Sequence, residues 1–340
     1  MDLEQFQFDF DLTFAVFFMN PDGTIYGRYG TRSSHDQTET DISLEGLREA
    51  MSGALALHSR YPVNLALLTG KKKNPLPVSR PEDFPSLARY KPKLDYEGAV
   101  TQSCMHCHQI RDAQRRQVRE AGKPLPDELL YPYPKPDVLG LILDVKQRAK
   151  VAEVPAGSSA STDGFKAGDE LLVLGGQAML SIADVQWVIE TAPKPNEGTP
   201  TKIPAQVRRG DQQIELALTL NPGWRKNSDF TWRTTSWDLR RMNGGMRSID
   251  LTDAERAARG LTNDTLALKI MNVGQYGEHQ NARRAGIQKD DVIVAYDGLT
   301  DRLSEGEVLA HVTQVRKRGD TVPVKLLRGD KTIEVNLTLQ

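Results

Sequence analysis

The sequence predicts an α+β protein of several domains. Three observations lead there: a length of 340 residues, a long-period internal repeat in the C-terminal part, and an N-terminal stretch whose apolar pattern switches from strand-like to helix-like. Hydrophobic residues make up 39% and charged residues 26% of the chain, a globular balance. The formal net charge of −1 supplies no overall field for nucleic acid or anionic lipid, so neither partner is expected. No apolar run approaches the ~18 residues that a membrane-spanning helix needs. The chain starts Met1-Asp2-Leu3-Glu4, which is acidic where an export signal would be basic.

Taken in order, residues 12–19 form a continuous apolar, β-prone run and read as a buried strand. Asn20-Pro21-Asp22-Gly23 is a turn signal, and residues 24–29 alternate as a returning strand. Ser43 is a suitable N-cap for a helix with apolar residues at Leu44, Leu47, Met51 and Leu55. This hairpin and helix, with Asn20-Pro21-Asp22-Gly23 between its strands and Gly27-Arg28 closing it, resembles the second half of a thioredoxin-like domain. The family's first half and its paired cysteines would lie before Met1. Residues 1–60 are therefore expected to be a partial thioredoxin-like unit.

Residues 61–136 are rich in proline (Pro62, Pro75, Pro77, Pro81, Pro85, Pro92) and carry a short basic run at Lys71, Lys72 and Lys73, read as a solvated loop. They contain the chain's two cysteines, in Cys104-Met105-His106-Cys107-His108. The spacing C-x-x-C-H is the one that covalent c-type haem attachment uses, with each thiol on one vinyl group and the histidine on the iron. If a helix begins at the motif, Cys104, Cys107 and His108 share one face. The expectation is a haem c site on Cys104, Cys107 and His108, with His108 as the metal ligand. No methionine follows until Met179, which leaves the sixth position to water or to His58, Met51 or Met19. Two alternatives stay open: no cofactor, with Cys104 and Cys107 cycling between dithiol and disulfide, or a motif that is only structural. A zinc site lacks a second cysteine pair.

The remainder repeats itself. Gly164 and Gly176 match Gly286 and Gly298, both shifted by 122 residues. Arg209-Gly210-Asp211 with its apolar strand matches Arg328-Gly329-Asp330, shifted by 119. The shared run of Gly, an apolar residue and Gly-Asp or Asp-Asp, then a closing Arg-Gly-Asp turn, resembles bacterial-type PDZ domains. Each copy is then expected to be β-barrel-like with two helices, at 137–222 and 245–340, joined by a linker at 223–244. One departure is Asp290, where the first copy has Gly168; aspartate tolerates left-handed backbone better than most residues.

The PDZ resemblance implies strand addition of extended peptides or protein C-termini at a glycine-containing loop. In copy one that loop is Val138, Leu139, Gly140 and Leu141; in copy two it is Gly245, Met246, Ser248 and Ile249. The chain's own linkers filling these grooves is the alternative. His279 and His311 read as single histidines without partners. No Ser-His-Asp arrangement can be argued, so whether the chain is an enzyme stays undecided, with electron transfer or binding favoured over hydrolysis. The whole order resembles bacterial thioredoxin-like/tandem-PDZ proteins. It implies a redox or ligand-sensing haem module tied to peptide-binding domains, with a redox partner, in an extracytoplasmic protein whose N-terminus is truncated here. A non-catalytic PDZ interaction scaffold is the other reading.

Overall fold

The computed structural model describes residues 1–34, 40–72, 76–91, 93–98, 100–195 and 198–340. Lys73 of the basic run, Pro75 and Pro92 lie outside the described residues. The chain divides into two compact units. Unit 1 comprises Met1–Ile110 and Tyr131–Ser228; unit 2 comprises Arg111–Leu130 and Asp229–Gln340. Each unit holds one copy of the repeat.

Unit 1 opens with the expected hairpin. Strand β1 (Val16–Met19) pairs antiparallel with β2 (Ile25–Tyr29), Val16 opposite Tyr29 and Phe17 opposite Arg28. The turn closes through Gly23 N–H to Asn20 O at 3.0 Å and Thr24 N–H to Asp22 Oδ1 at 2.9 Å. Ser43 caps the Leu44–His58 helix by accepting from Gly46 N–H at 2.9 Å.

The face this helix buries differs from the expected one. Leu44, Met51 and Leu55 are exposed, at 83%, 48% and 64%, while Gly46, Ala50, Gly53 and Ala54 are buried. The reason is closeness of approach. A Cβ at Gly46 would lie 2.1 Å from Val145 O, and one at Gly53 would lie 2.6 Å from a Leu180 methyl. The small residues seat the helix against the repeat's own loops, Leu47 and Leu57 pack half-buried beside them, and Leu44, Met51 and Leu55 are left outside.

The repeat in unit 1 has a short pair, β3 (Ile142–Leu143) with β4 (Val151–Glu153), and a second sheet. That sheet is formed by β5 (Glu170–Leu174), β6 (Gln177–Ala178), β7 (Thr201–Arg209) and β8 (Gln212–Leu220), in the order β6-β5-β7-β8. The Ile182–Thr191 helix packs on it. Leu141, Leu171, Leu174, Val185, Ile189, Val207 and Leu218 form the centre of the core, each at most 1% exposed.

Unit 2 gathers its strands into one antiparallel sheet: β9 (Met246–Asp250), β10 (Leu268–Val273), β11 (Val292–Tyr296), β12 (Thr321–Arg328) and β13 (Lys331–Thr338). The order is β13-β12-β11-β10-β9, so β9 is an edge strand. The Glu305–Val315 helix starts at a capping box: Ser304 Oγ accepts from Glu307 N–H, and the Glu307 carboxylate accepts from Ser304 N–H. Ile270, Tyr296, Leu309, Val312, Val322, Leu326 and Leu337 are fully buried in this core.

Candidate peptide-binding site

The signature residues of the repeat build the same staple twice. In unit 1, Arg209 donates from Nε to Asp169 Oδ1 at 2.7 Å and from Nη2 to Asp169 Oδ2 and Gly164 O, both at 2.8 Å. In unit 2, Arg328 does the same to Asp291, at 2.7 and 2.8 Å, and to Gly286 O at 2.7 Å. Both carboxylates are buried, so a bidentate guanidinium is what makes their burial tolerable. Gly168 (φ 90°) and Asp290 (φ 70°) sit at the same left-handed corner. Each donates its N–H at 2.8 Å, to Val151 O and Ile270 O respectively.

Residues 138–141 precede β3, whereas of the copy-two residues only Gly245 precedes β9, and Met246, Ser248 and Ile249 lie on that strand rather than in a loop. Leu139, Gly140 and Leu141 are buried and Val138 is half-buried; Gly245, Met246 and Ser248 are buried and Ile249 is 44% exposed. Their N–H groups are largely used within the chain. Gly140 donates to Asp137 O at 2.8 Å and Leu141 to Pro136 O at 3.1 Å. In unit 2, Gly244 donates to Arg241 O at 3.1 Å and Gly245 to Arg240 O at 2.8 Å. Those two carbonyls close the Ser236–Met242 helix, a helix-ending pattern in which left-handed glycines satisfy the final acceptors.

The long helices are engaged as well, by different segments. In unit 1, Asp184 on the Ile182–Thr191 helix accepts from Arg28 N–H at 3.1 Å and Leu180 N–H at 3.1 Å, and pairs with Lys71 Nζ at 2.8 Å. Lys71, expected in a solvated loop, is therefore fully buried, because this carboxylate draws it inward. Ser181 Oγ donates to Arg28 O at 2.5 Å, so β2 is clamped to the start of the helix. The Arg28 guanidinium lies 4.0 Å over the Trp187 ring and donates to Lys71 O at 2.6 Å. Burial lowers the Arg28 pKa to about 10 and pushes the Lys71 ammonium down as well, against the pull of Asp184. Further along the helix, Gln186 Nε2 donates to Tyr133 O at 2.9 Å and Glu190 Oε2 accepts Tyr133 N–H at 3.1 Å.

In unit 2 the corresponding place is held by a side chain. Glu305, the first residue of the helix, accepts Ser248 N–H from β9 at 2.7 Å. It also pairs with Arg240, whose Nε and Nη2 reach Oε1 and Oε2 at 3.1 and 2.6 Å. His311 is not alone: its Nε2 lies 2.6 Å from Asp297 Oδ2, and Arg316 donates to both Asp297 oxygens at 2.7 Å. Sequence reasoning missed the roles of Lys71, Asp184, Arg240 and Glu305. Ser181 and Ser304, each three residues before an acidic residue, were the available markers of the two helix starts.

The cysteine motif takes a form other than the one expected. The helix runs Cys107–Glu120, and Cys104 precedes it, after the separate turn Val100–Ser103. Cys104, Cys107 and His108 are thus not three positions on one helical face. Both thiols are free, with Cys104 Sγ 3.5 Å from Val100 O, and burial raises the Cys107 pKa, which disfavours the thiolate. The His108 ring stacks on His106, with centroids 5.6 Å apart and planes at 13°. Burial, with His106 beside it, lowers the His108 pKa despite Asp11. Among the described residues, no group of three or more His, Cys, Asp and Glu side chains is placed to hold a metal ion. No helix among them is long and apolar enough to cross a membrane.

No family model matches the chain. In sequence it is similar to the periplasmic pH-dependent serine endoprotease DegQ of Escherichia coli, 25% identical over 191 residues, which are 56% of this chain and 36% of DegQ. The match therefore spans about a third of the length of that relative. Among solved structures, the HtrA3 PDZ domain bound to a phage-derived ligand overlaps 28% of this chain and 82% of that one, at 16% identity and a TM-score of 0.22. A serine-to-alanine variant of the HtrA-type protease AlgW, with a decapeptide, overlaps 56% of this chain and 53% of that one, at 13% identity and a TM-score of 0.27. The chain is a mixed α/β protein with PDZ-like structural neighbours.

These findings correct the reading built on the cysteines. The sequence relative is a serine endoprotease, not a haem protein or a thioredoxin. The side chains around Cys104, Cys107 and His108 form no metal-holding group among the described residues. The haem c cofactor and the redox or ligand-sensing haem function are both set aside.

Proposed function

We propose that the chain is a non-catalytic, PDZ-type interaction scaffold that docks extended segments of partner proteins along β9 of unit 2. The observation that carries this is the edge position of β9. Among the described residues β9 pairs with β10 alone, and the N–H of Ser248 points away from that ladder, to the Glu305 carboxylate. An edge strand beside a helix is the geometry into which an added strand hydrogen-bonds. Ile249, exposed on β9, offers apolar contact along the same strand. In unit 1 the helix already binds the chain's own backbone at Arg28 and Tyr133, which supports a structural task for that copy. The similarity to periplasmic DegQ supports an extracytoplasmic setting and a role in handling protein chains.

The test is a screen of random extended peptides against the full chain. Peptides that bind are expected to lose at least tenfold in affinity with Ser248→Pro, because proline removes the Ser248 N–H while sparing the bonds to β10. Ile142→Ala in β3 of unit 1 should leave binding unchanged. Affinity that survives Ser248→Pro would place the peptide elsewhere and end this reading.

A further inference from the structure

A strand N–H on the edge of a sheet meets a main-chain carbonyl when another strand adds to it. At Ser248 it meets a carboxylate instead, Glu305 Oε1 at 2.7 Å, and behind that carboxylate stands the Arg240 guanidinium. All three residues are more than nine-tenths buried: Arg240 is 4% exposed, Ser248 7% and Glu305 8%. Arg240 is fixed from the other side by Ser236 Oγ at 2.6 Å and Thr231 O at 2.9 Å, so it holds its position whatever stands before it. The result is a built cradle of one backbone donor and one forked cation, a donor set that matches the two oxygens of a carboxylate.

We infer that Ser248 N–H and the Arg240 guanidinium form a carboxylate-binding site, filled at rest by Glu305, that selects partner segments bearing a glutamate or aspartate side chain. This rests on the docking reading above and names the class of segment that docks. Exchange is a swap of like for like. An incoming carboxylate replaces Glu305 on the same donors, so Arg240 is never left as an unpaired buried charge. Glu305 can leave without unwinding its helix, because the cap is made by Ser304 and Glu307. A free chain terminus is the other source of a carboxylate. The loop donors that would cradle it, Gly244 and Gly245 N–H, are already bonded to Arg241 O and Arg240 O, which favours a side chain.

The experiment uses the full chain and three fluorescent decapeptides of one strand-forming sequence. The first has a central glutamate and an amidated end, the second a glutamine there and an amidated end, and the third the glutamine with a free C-terminus. Glu305→Ala should bind the glutamate peptide at least tenfold more tightly than the parent protein does, with the glutamine amide changed less than twofold. Acetate, but not chloride, should compete. The double variant Arg240→Met/Glu305→Leu should show no preference for acid. Equal binding of the two amidated peptides by Glu305→Ala overturns the carboxylate site while leaving docking intact, and binding of neither peptide by any variant removes the docking reading itself. Preference for the free-terminus peptide moves the site to chain ends and overturns the side-chain assignment. Should Glu305→Ala fail to fold, recovery in acetate but not in chloride supports the site, and failure to recover in acetate overturns it.

Discussion

The two copies of the repeat agree where their strands turn and differ where their helices begin. Arg209–Asp169 and Arg328–Asp291 match bond for bond, down to the third contact with a glycine carbonyl. At the helix start each copy buries a carboxylate, Asp184 or Glu305, and neutralises it with a cation from an earlier segment. In unit 1 that segment comes with a strand, β2, clamped to the helix at Arg28. In unit 2 side chains stand there, and among the described residues the edge of β9 has no second strand. The difference teaches that one scaffold becomes closed or available according to what precedes it in the chain, with its Arg–Asp staple unchanged.

The largest effect should come from breaking the buried pair of unit 1. Lys71→Met or Asp184→Leu alone leaves one charge buried without its partner and should cost about 3–5 kcal/mol in chemical denaturation of the full chain. The double variant Lys71→Met/Asp184→Leu should recover only part of that loss, because the buried Arg28 and Leu180 N–H groups still lose their acceptor. If each single change cost no more than an exposed pair, the clamp on the unit 1 helix would have to rest on Ser181 and Trp187.

The staples come next. Arg209→Ala and Arg328→Ala each strand a buried aspartate and should each cost about 2 kcal/mol, equal in the two copies within experimental error. Unequal losses would break the claim that the turns are equivalent. Smaller still is the corner itself. Gly168→Ala places a Cβ on a residue at φ 90° and should cost roughly 1–2 kcal/mol, although among the described residues none beyond its chain neighbours lies within 4 Å of that Cβ. Asp290→Gly should change stability by less than about 0.5 kcal/mol, because the exposed pair with Lys269 is worth little.

The smallest effect is one of pH. Burial, reinforced by Arg241, lowers the His279 pKa below the ordinary histidine value of about 6.5. The unfolded chain therefore takes up a proton there more readily than the folded one. Stability should be full above about pH 6.5 and decline as pH falls below it. In thermal melts between about pH 7 and about pH 5, His279→Gln should lessen that decline; an unchanged slope would assign it to other groups, His108 among them.

Much of the scaffold was legible because it depends on neighbours in sequence. The Asn20-Pro21-Asp22-Gly23 turn, the Ser43 cap and the left-handed corner at Gly168 and Asp290 are local preferences that survive in any context. The repeat was visible for a related reason, since the Gly-Asp and Arg-Gly-Asp signatures serve the same staple in both copies. The Leu44–His58 helix was legible as a helix but not in its orientation. Its large apolar residues suggested the core, yet Gly46 and Gly53 allow an approach to Val145 and Leu180 that no leucine could make. The cysteine motif misled because spacing names a chemistry only if the backbone brings the residues to one place, and a helix that starts at Cys107 leaves Cys104 outside it.

What the sequence by itself determined is the hairpin around Asn20-Pro21-Asp22-Gly23, the Ser43 cap and the repeated Arg-Gly-Asp turns, all governed by interactions spanning a few residues. The tertiary structure decided which cation meets which buried carboxylate. Lys71 reaches Asp184, and Arg240 reaches Glu305, across separations that carry no periodicity or spacing rule. A buried charge is held by whatever opposite charge the fold delivers to it, and that delivery is a property of the assembled core.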